Sequence, residues 1–338
     1  MKEKLFYRNE AVTPIISTIL LLVITLIIIG GIVAWALPTI LDQQSDARYE
    51  SSYNNLEVVA TSMEESVYTG KDSSRTVNFD LAGGDMNIKS RVERWIISYT
   101  YINASLNLTN FLPKSKIFSY DFSNRETEHN VVKIRNLENE NMSIYETDND
   151  TVVMEEPLLA NPVHISIFNG TKTNLHSKLA EVWLFYVDAI SYRQATGKGQ
   201  YNILVLNCGI ITDPNSKYGY VARKPMVFAE ENSMLIYIVQ LNSTALTGGG
   251  AGKYRLTTTV EDLVVRKVGE VRHLRIRIEG DKYRQAWYTS FFISEIGCKE
   301  GYRDEDGVLR SVEFSPTGYQ SVSLKLVQVY QSLRLEAR

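Results

Sequence analysis

Recognisable catalytic signatures are missing from this 338-residue chain. Its four histidines, His129, His164, His176 and His273, are scattered, with no carboxylate at metal-site spacing. No H-E-x-x-H, G-x-S-x-G or C-x-x-C run occurs, which removes the common zinc-hydrolase, serine-hydrolase and dithiol arrangements. The acidic runs Asp148-Asn149-Asp150 and Asp304-Glu305-Asp306-Gly307 do not have EF-hand spacing. The second reads instead as an Asp-Gly hairpin turn. The glycine run at 248–252 is followed by strand-like sequence, not by the helix and Lys-Ser/Thr pair of a phosphate loop. It reads as a flexible loop. No catalytic, cofactor-binding or metal-ligating residue is therefore assigned, and the expectation is a protein that is not an enzyme. A nucleophile and base far apart in sequence would escape such a scan.

Blocks of like charge are also missing. The net charge is −3 and the pI near 5.9, which argues against nucleic acid as a partner. Cysteine is nearly absent. Cys208 and Cys298 allow one pairing, but spacing cannot establish contact, so a disulfide and two buried free thiols both stay open.

The largest local absence is of charge between Val12 and Leu41, a run of 30 residues. A bilayer core of about 30 Å needs roughly 20 apolar residues in a helix, and Ile15 to Leu37 meets that requirement. Ser17, Thr18 and Thr25 are its only polar residues, and their hydroxyls can bond back to the preceding turn. Gly30, Gly31 and Ala34 form a small-residue patch that another helix could approach. Trp35 suits the far interface, and Pro38 is expected to end or kink the helix. Lys2, Lys4 and Arg8 precede the run, while Asp42 and Asp46 are the first charges after it. The positive-inside bias puts the N-terminus in the cytoplasm and the large domain outside, in contact with membrane lipid only through the helix.

The short basic tail ends at Ala11, and the apolar run opens with Val12-Thr13-Pro14. Together with Ile15, Ile16, Ile19, Leu20, Val23, Ile24 and Thr25, this start resembles the class III signal peptide of archaeal type IV pilins and pilin-like proteins. The resemblance covers roughly the first 40 residues. It implies that a prepilin peptidase cuts between Ala11 and Val12. It also implies that the helix stays on the mature protein and packs with other pilin-like subunits. The chain is longer than a typical major pilin, so the expectation is a minor filament subunit or an adhesin-like component. The run PMVFAEENSMLIYIVQLN, the glycine-rich loop and AWYTSFFISEIG are similar to ectodomains of uncharacterised archaeal pilin-like membrane proteins. The alternatives are a single-pass membrane-anchored extracellular binding protein that forms no filaments and, less favoured, a membrane-tethered enzyme.

The pattern divides the chain into a cytoplasmic leader (1–11), a transmembrane helix (12–37), an extracellular stalk helix (38–70) and an extracellular β domain (71–338), which the sequence allows to divide again near residue 200. Thr39 to Tyr49 is polar, and turn-like at Asp42 to Asp46. Leu56, Val59, Ala60, Met63 and Val67 then fall at helical spacing, with Gly70 as the C-cap. From Thr76 the period is two. Gly83-Gly84 reads as a turn, and 180–187 and 201–211 read as core strands. Met226–Ala229 and Met234–Leu241 read as a strand pair. His273, Arg275 and Arg277 make a basic strand face, expected to pair with an acidic neighbour. A late helix is expected over about 282–296. The fold expectation is mainly β, an antiparallel sandwich-like domain behind the long helix. Six N-x-[S/T] sequons lie beyond the membrane, at Asn103, Asn107, Asn141, Asn149, Asn169 and Asn242, and some are expected to carry glycans.

Overall fold

The computed structural model describes residues 12–101, 107–114, 117–123, 130–147, 151–155, 161–196, 199–214, 219–242, 247–280, 283–315, 318 and 320–337. Ala11 and the sequons at Asn103 and Asn149 lie outside them.

One helix, α1, runs without a break from Val12 to Thr69. The expected turn at Asp42–Asp46 is helical, and Pro38 lies inside the helix. Proline removes its own N–H and crowds the carbonyl one turn back, but both flanks are already helical, so the costly nucleus need not form again. One turn beyond Trp35, the Thr39 hydroxyl donates to its carbonyl at 3.0 Å. The helix ends at Gly70, whose φ of 99° is open to glycine but unfavourable for L side chains. Its N–H bonds the Ser66 and Val67 carbonyls, a left-handed cap at the position the sequence indicated.

The rest of the chain is mainly β. Strand β1 (Ser74–Thr100) leads to β2 (Asn107–Lys114), β3 (Ile117–Ser123), β4 (Asn130–Asn136), β5 (Met142–Thr147) and β6 (Thr151–Glu155). Next are β7 (Val163–Thr171), β8 (Asn174–Thr196), β9 (Gly199–Leu206), β10 (Gly209–Pro214), β11 (Tyr220–Arg223), β12 (Val227–Glu230) and β13 (Ser233–Asn242). Then come β14 (Thr247–Gly280), a short helix α2 (Arg284–Ala286, widening to a π-helical turn over Trp287–Ile293), β15 (Lys299–Glu300), β16 (Val312–Phe314) and β17 (Val322–Ala337).

The main sheet has the order β11-β10-β9-β8-β1-β14-β17-β13-β12, and β7, β4 and β5 branch from β8. Strands β2, β3 and β6 form a separate small sheet. Strand β1 pairs with β14 in two stretches, Ser74↔Thr259 to Asn87↔Thr247 and Glu93↔Gly280 to Thr100↔Arg272. Most of the ladder is antiparallel as expected, but β13 and β17 run parallel. The region near residue 200 is the β8–β9 hairpin, in register from Ala189↔Leu206 to Thr196↔Gly199.

Two expected interruptions are strand. Gly83 and Gly84 lie within β1 at φ 126° and 84°, and a Cβ on Gly84 would collide with the Arg193 carbonyl and the Tyr192 ring. The 248–252 run pairs with β1 from Leu81↔Gly252 to Met86↔Gly248. There the Tyr254 hydroxyl donates back to the Gly249 carbonyl at 3.0 Å. Neither glycine set breaks its strand, and Gly84 marks a place of close approach.

The long strands pass through two successive cores. One cluster gathers Leu56, Val59, Ala60, Met63 and Val67 of α1 with Phe79, Tyr192, Val205, Leu256 and Val329. The second gathers Trp95, Phe185, Ile276 and Leu324 under the α2 residues Trp287, Tyr288, Phe291 and Phe292. The α2 helix lies where expected but is shorter. It closes with an i→i+5 bond from the Ile296 N–H to Phe291, and Gly297 comes next at φ 78°. A third cluster fills the space between β4, β7 and β8. Strand β13 comes back against β8, where Asp188 accepts from the Arg91 N–H at 2.6 Å and the Leu241 N–H at 3.1 Å. Burial raises the Asp188 carboxyl, against those two donors.

Candidate functional site

The residues with a definable role lie along α1, which divides into two halves of opposite character. In the first half every large apolar side chain from Ile16 to Leu37 is at least 45% exposed. Such a helix is long and apolar enough to cross a membrane. The Thr25 hydroxyl donates to the Leu21 carbonyl, the back-bonding expected of a hydroxyl in such a segment. Gly30 and Gly31 have no atom outside their own helical turn within 4 Å of an added Cβ, so their small face is open. Ala34 is exposed beside it. Val12 is the first helical residue.

In the second half the helical period turns one face into the sheet. Leu56, Val59 and Ala60 are fully buried and Met63 nearly so. Each fully buried aliphatic side chain contributes about 1.5–3 kcal/mol. Polar contacts fix the register. Ser52, fully buried, donates to the Tyr192 hydroxyl at 2.9 Å, and Tyr192 donates onward to the Gly83 carbonyl at 2.5 Å. Gln331, also fully buried, donates to Ser66 Oγ at 2.7 Å. The Tyr201 hydroxyl donates to Asp46 at 3.1 Å, and its ring lies 4.8 Å from that of Tyr49. Arg223 on β11 pairs with Glu64. Together these contacts tie residues 46–66 to four strands of the sheet, β8, β9, β11 and β17. The apolar half of this seat was visible as spacing. Ser52 and Ser66 share that face, which was the available signal for them.

A polar cluster that sequence reasoning missed lies where β1, β7, β8 and β14 meet. Glu181 is buried and accepts from Lys178 Nζ at 2.6 Å, from the Tyr99 hydroxyl and from His164 Nε2 at 3.1 Å. Trp183 Nε1 donates to the Tyr99 oxygen at 2.9 Å, and His164 stacks on the Trp183 ring at 3.6 Å. Lys267 donates to the Tyr101 hydroxyl at 3.1 Å and lies over that ring. Burial alone would raise the Glu181 carboxyl, but the hydrogen bonds from His164, Lys178 and Tyr99 hold it well below the usual carboxylate range. Burial, then the Glu181 charge, pushes the Tyr99 phenol far up. Every member has a partner within the cluster, so the arrangement reads as a fastening of four strands.

The basic face on β14 is paired to a neighbouring strand, as expected, at Arg275 and His273, which meet Glu313 on β16. Arg277 instead meets Glu279 of its own strand at 2.8 Å. Hydrogen bonding by His273, against burial, lowers the Glu313 carboxyl. The 304–307 run is the expected turn, with Gly307 N–H on the Asp304 carbonyl at 2.9 Å and Asp304 paired to Arg310. Among the described residues no His, Cys, Asp and Glu cluster could hold a metal.

The cysteine pairing that the sequence leaves open is not made. Both thiols are free and buried, in different clusters. Cys208 sits in a two-residue turn with Asn207, at φ 61° and 50°, against the α1 seat. Cys298 lies under α2. Burial pushes the Cys298 thiol up to about 12 and the Cys208 thiol higher.

Of the sequons, Asn141 is exposed in the turn before β5, and Asn242 is exposed at the end of β13. Asn169 is half-buried in β7, and Asn107 lies in β2. The class of protein thus defined is a mainly β domain carried on a helix whose N-terminal half is apolar and uncovered. No protein-family model, curated protein or solved structure matches the chain.

Proposed function

We propose that the chain is a type IV pilin-like surface protein, a minor filament subunit or adhesin-like component anchored by α1. The observation that supports this most is the division of one unbroken helix. Its first half is apolar and uncovered on every side, and its second half is sunk into the sheet. Two environments suit such a first half: lipid, and a bundle of like helices that excludes water. The helix would be held in the bilayer before assembly and pass into the bundle afterwards. The basic leader would hold its N-terminal end in the cytoplasm until cleavage after Ala11 leaves Val12 as the new N-terminus. The open face at Gly30, Gly31 and Ala34 is where a neighbouring helix backbone would come closest. Recognition would fall to the loops and faces of the β domain.

The test is to shear surface filaments from cells expressing the full chain and to probe both fractions. The native chain is expected in the sheared fraction. A Gly30→Leu, Gly31→Leu variant is expected to remain in the membrane and to leave that fraction. A native chain found only in the membrane would favour the anchored binding protein that forms no filaments.

A further inference from the structure

We propose that Asn141 is a glycan-acceptor site and that its glycan covers the open edge of β5. The proposal rests on the outward orientation of the β domain in the reading as a surface protein. The sequon Asn141-Met142-Ser143 lies at the junction between a tight turn and a strand. The Asn136 N–H bonds the Asn141 carbonyl at 2.9 Å. The turn is held by its own asparagines, with Glu138 N–H on Asn136 Oδ1 at 2.8 Å and Asn141 N–H on Asn139 Oδ1 at 3.1 Å. Glu140 takes φ 61° just before the sequon. The backbone at Asn141 is therefore fixed, the residue is exposed, and its side-chain amide makes no hydrogen bond to the described residues.

Asn169 provides the contrast. Its sequon lies in β7, which pairs with β4 and with β8, and it stands opposite the buried Asn130. Its Oδ1 is buried. Gly170 sits in the tight β7–β8 hairpin, where an added Cβ would strike the Asn174 carbonyl. A sugar on Asn169 would have to be attached at a half-buried residue inside a strand paired on both sides, rather than at an exposed turn.

The strand that begins after Asn141 gives a glycan there its role. Among the described residues β5 pairs with β4 alone, and no described strand lies on its other edge. Met142 is 54% exposed, Ile144 43% and Tyr145 42%. An open edge with apolar side chains is a template for adding a strand from another chain. A hydrophilic oligosaccharide at the first residue before that edge blocks such an approach. The donor class is an oligosaccharide on a lipid phosphate or diphosphate carrier. Asn141 Nδ2 bonds to the anomeric carbon and gives up one proton to a base of the transferase. The bond from that carbon to the carrier phosphate breaks, and the phosphate leaves with the electron pair.

The test uses the full chain purified from its native membrane, with peptide mass spectrometry on the segments holding Asn141 and Asn169. The expected result is sugar mass on Asn141 and none on Asn169. Intact cells are treated with external protease in parallel. A domain that is cleaved but carries a bare Asn141, or a glycan on Asn169, overturns the assignment alone. A domain that the protease cannot reach overturns the orientation, and the glycan with it. Asn141→Gln is expected to lose the sugar mass and to sediment as dimers or larger species, and adding Ile144→Lys is expected to restore the native distribution. Unchanged sedimentation of Asn141→Gln would overturn the covering role.

Discussion

Truncating Leu56 tests the seat of α1 most sharply. Leu56 is fully buried in the cluster that joins the helix to the sheet. Removing its three outer carbons takes away their transfer free energy and leaves a cavity, a loss of about 2–5 kcal/mol for a buried Leu→Ala. Leu22 is the matched control, because it is on the same helix but 59% exposed. Leu22→Ala is expected to leave the domain within about 0.5 kcal/mol of the native value. The assay is urea unfolding of the full chain in nonionic detergent, followed by tryptophan fluorescence. Three of the four tryptophans, Trp95, Trp183 and Trp287, are buried in the β domain and report its unfolding. Leu56→Ala should lower the midpoint with an unchanged slope. A loss below about 1 kcal/mol, or equal effects of the two variants, would refute the seat.

Gly84→Ala should cost at least about 2 kcal/mol, combining an unfavourable φ with a carbonyl collision. Gly307→Ala has a similar φ in open space and should cost less by the same unfolding assay. The Glu181 cluster makes the fold acid-sensitive. Its carboxyl titrates lower folded than unfolded, so its contribution is full above about pH 4.3 and fades as pH falls below that. Melting temperatures at pH 7 and pH 3 should therefore drop more for the native chain than for Glu181→Gln, and equal drops would count against the network. Neither cysteine should react with iodoacetamide at pH 8 until urea is added, because burial keeps both protonated. Reductant should not change gel mobility.

The parts legible in the sequence were those decided by local period. The apolar face from Leu56 to Val67, the Gly70 cap, the core strand at 180–187 and the Met226–Leu241 pair come from spacing and turn chemistry alone, whereas the 201–211 run, expected as one strand, is two, turned at Asn207–Cys208. Misread features were those where a tertiary neighbour outweighed a local signal. Pro38 and Asp42–Asp46 look like breakers, yet a helix already formed on both sides carries through them. Gly83-Gly84 and the 248–252 run look like loops, yet both lie inside long strands, β1 and β14, and Gly84 has no room for a side chain. The Glu181 cluster draws on Tyr99, His164, Lys178 and Lys267, residues far apart in the chain, which only the sheet order brings together. The two cysteines were undecidable because pairing depends on which core each enters.

The central claim is that α1 is a helix freed at its cytoplasmic end and able to leave the bilayer. The first residue of the protein recovered from the cell surface tests it directly. The account predicts Val12 as that residue, with the leader through Ala11 removed. Protein that retains Met1 would contradict it.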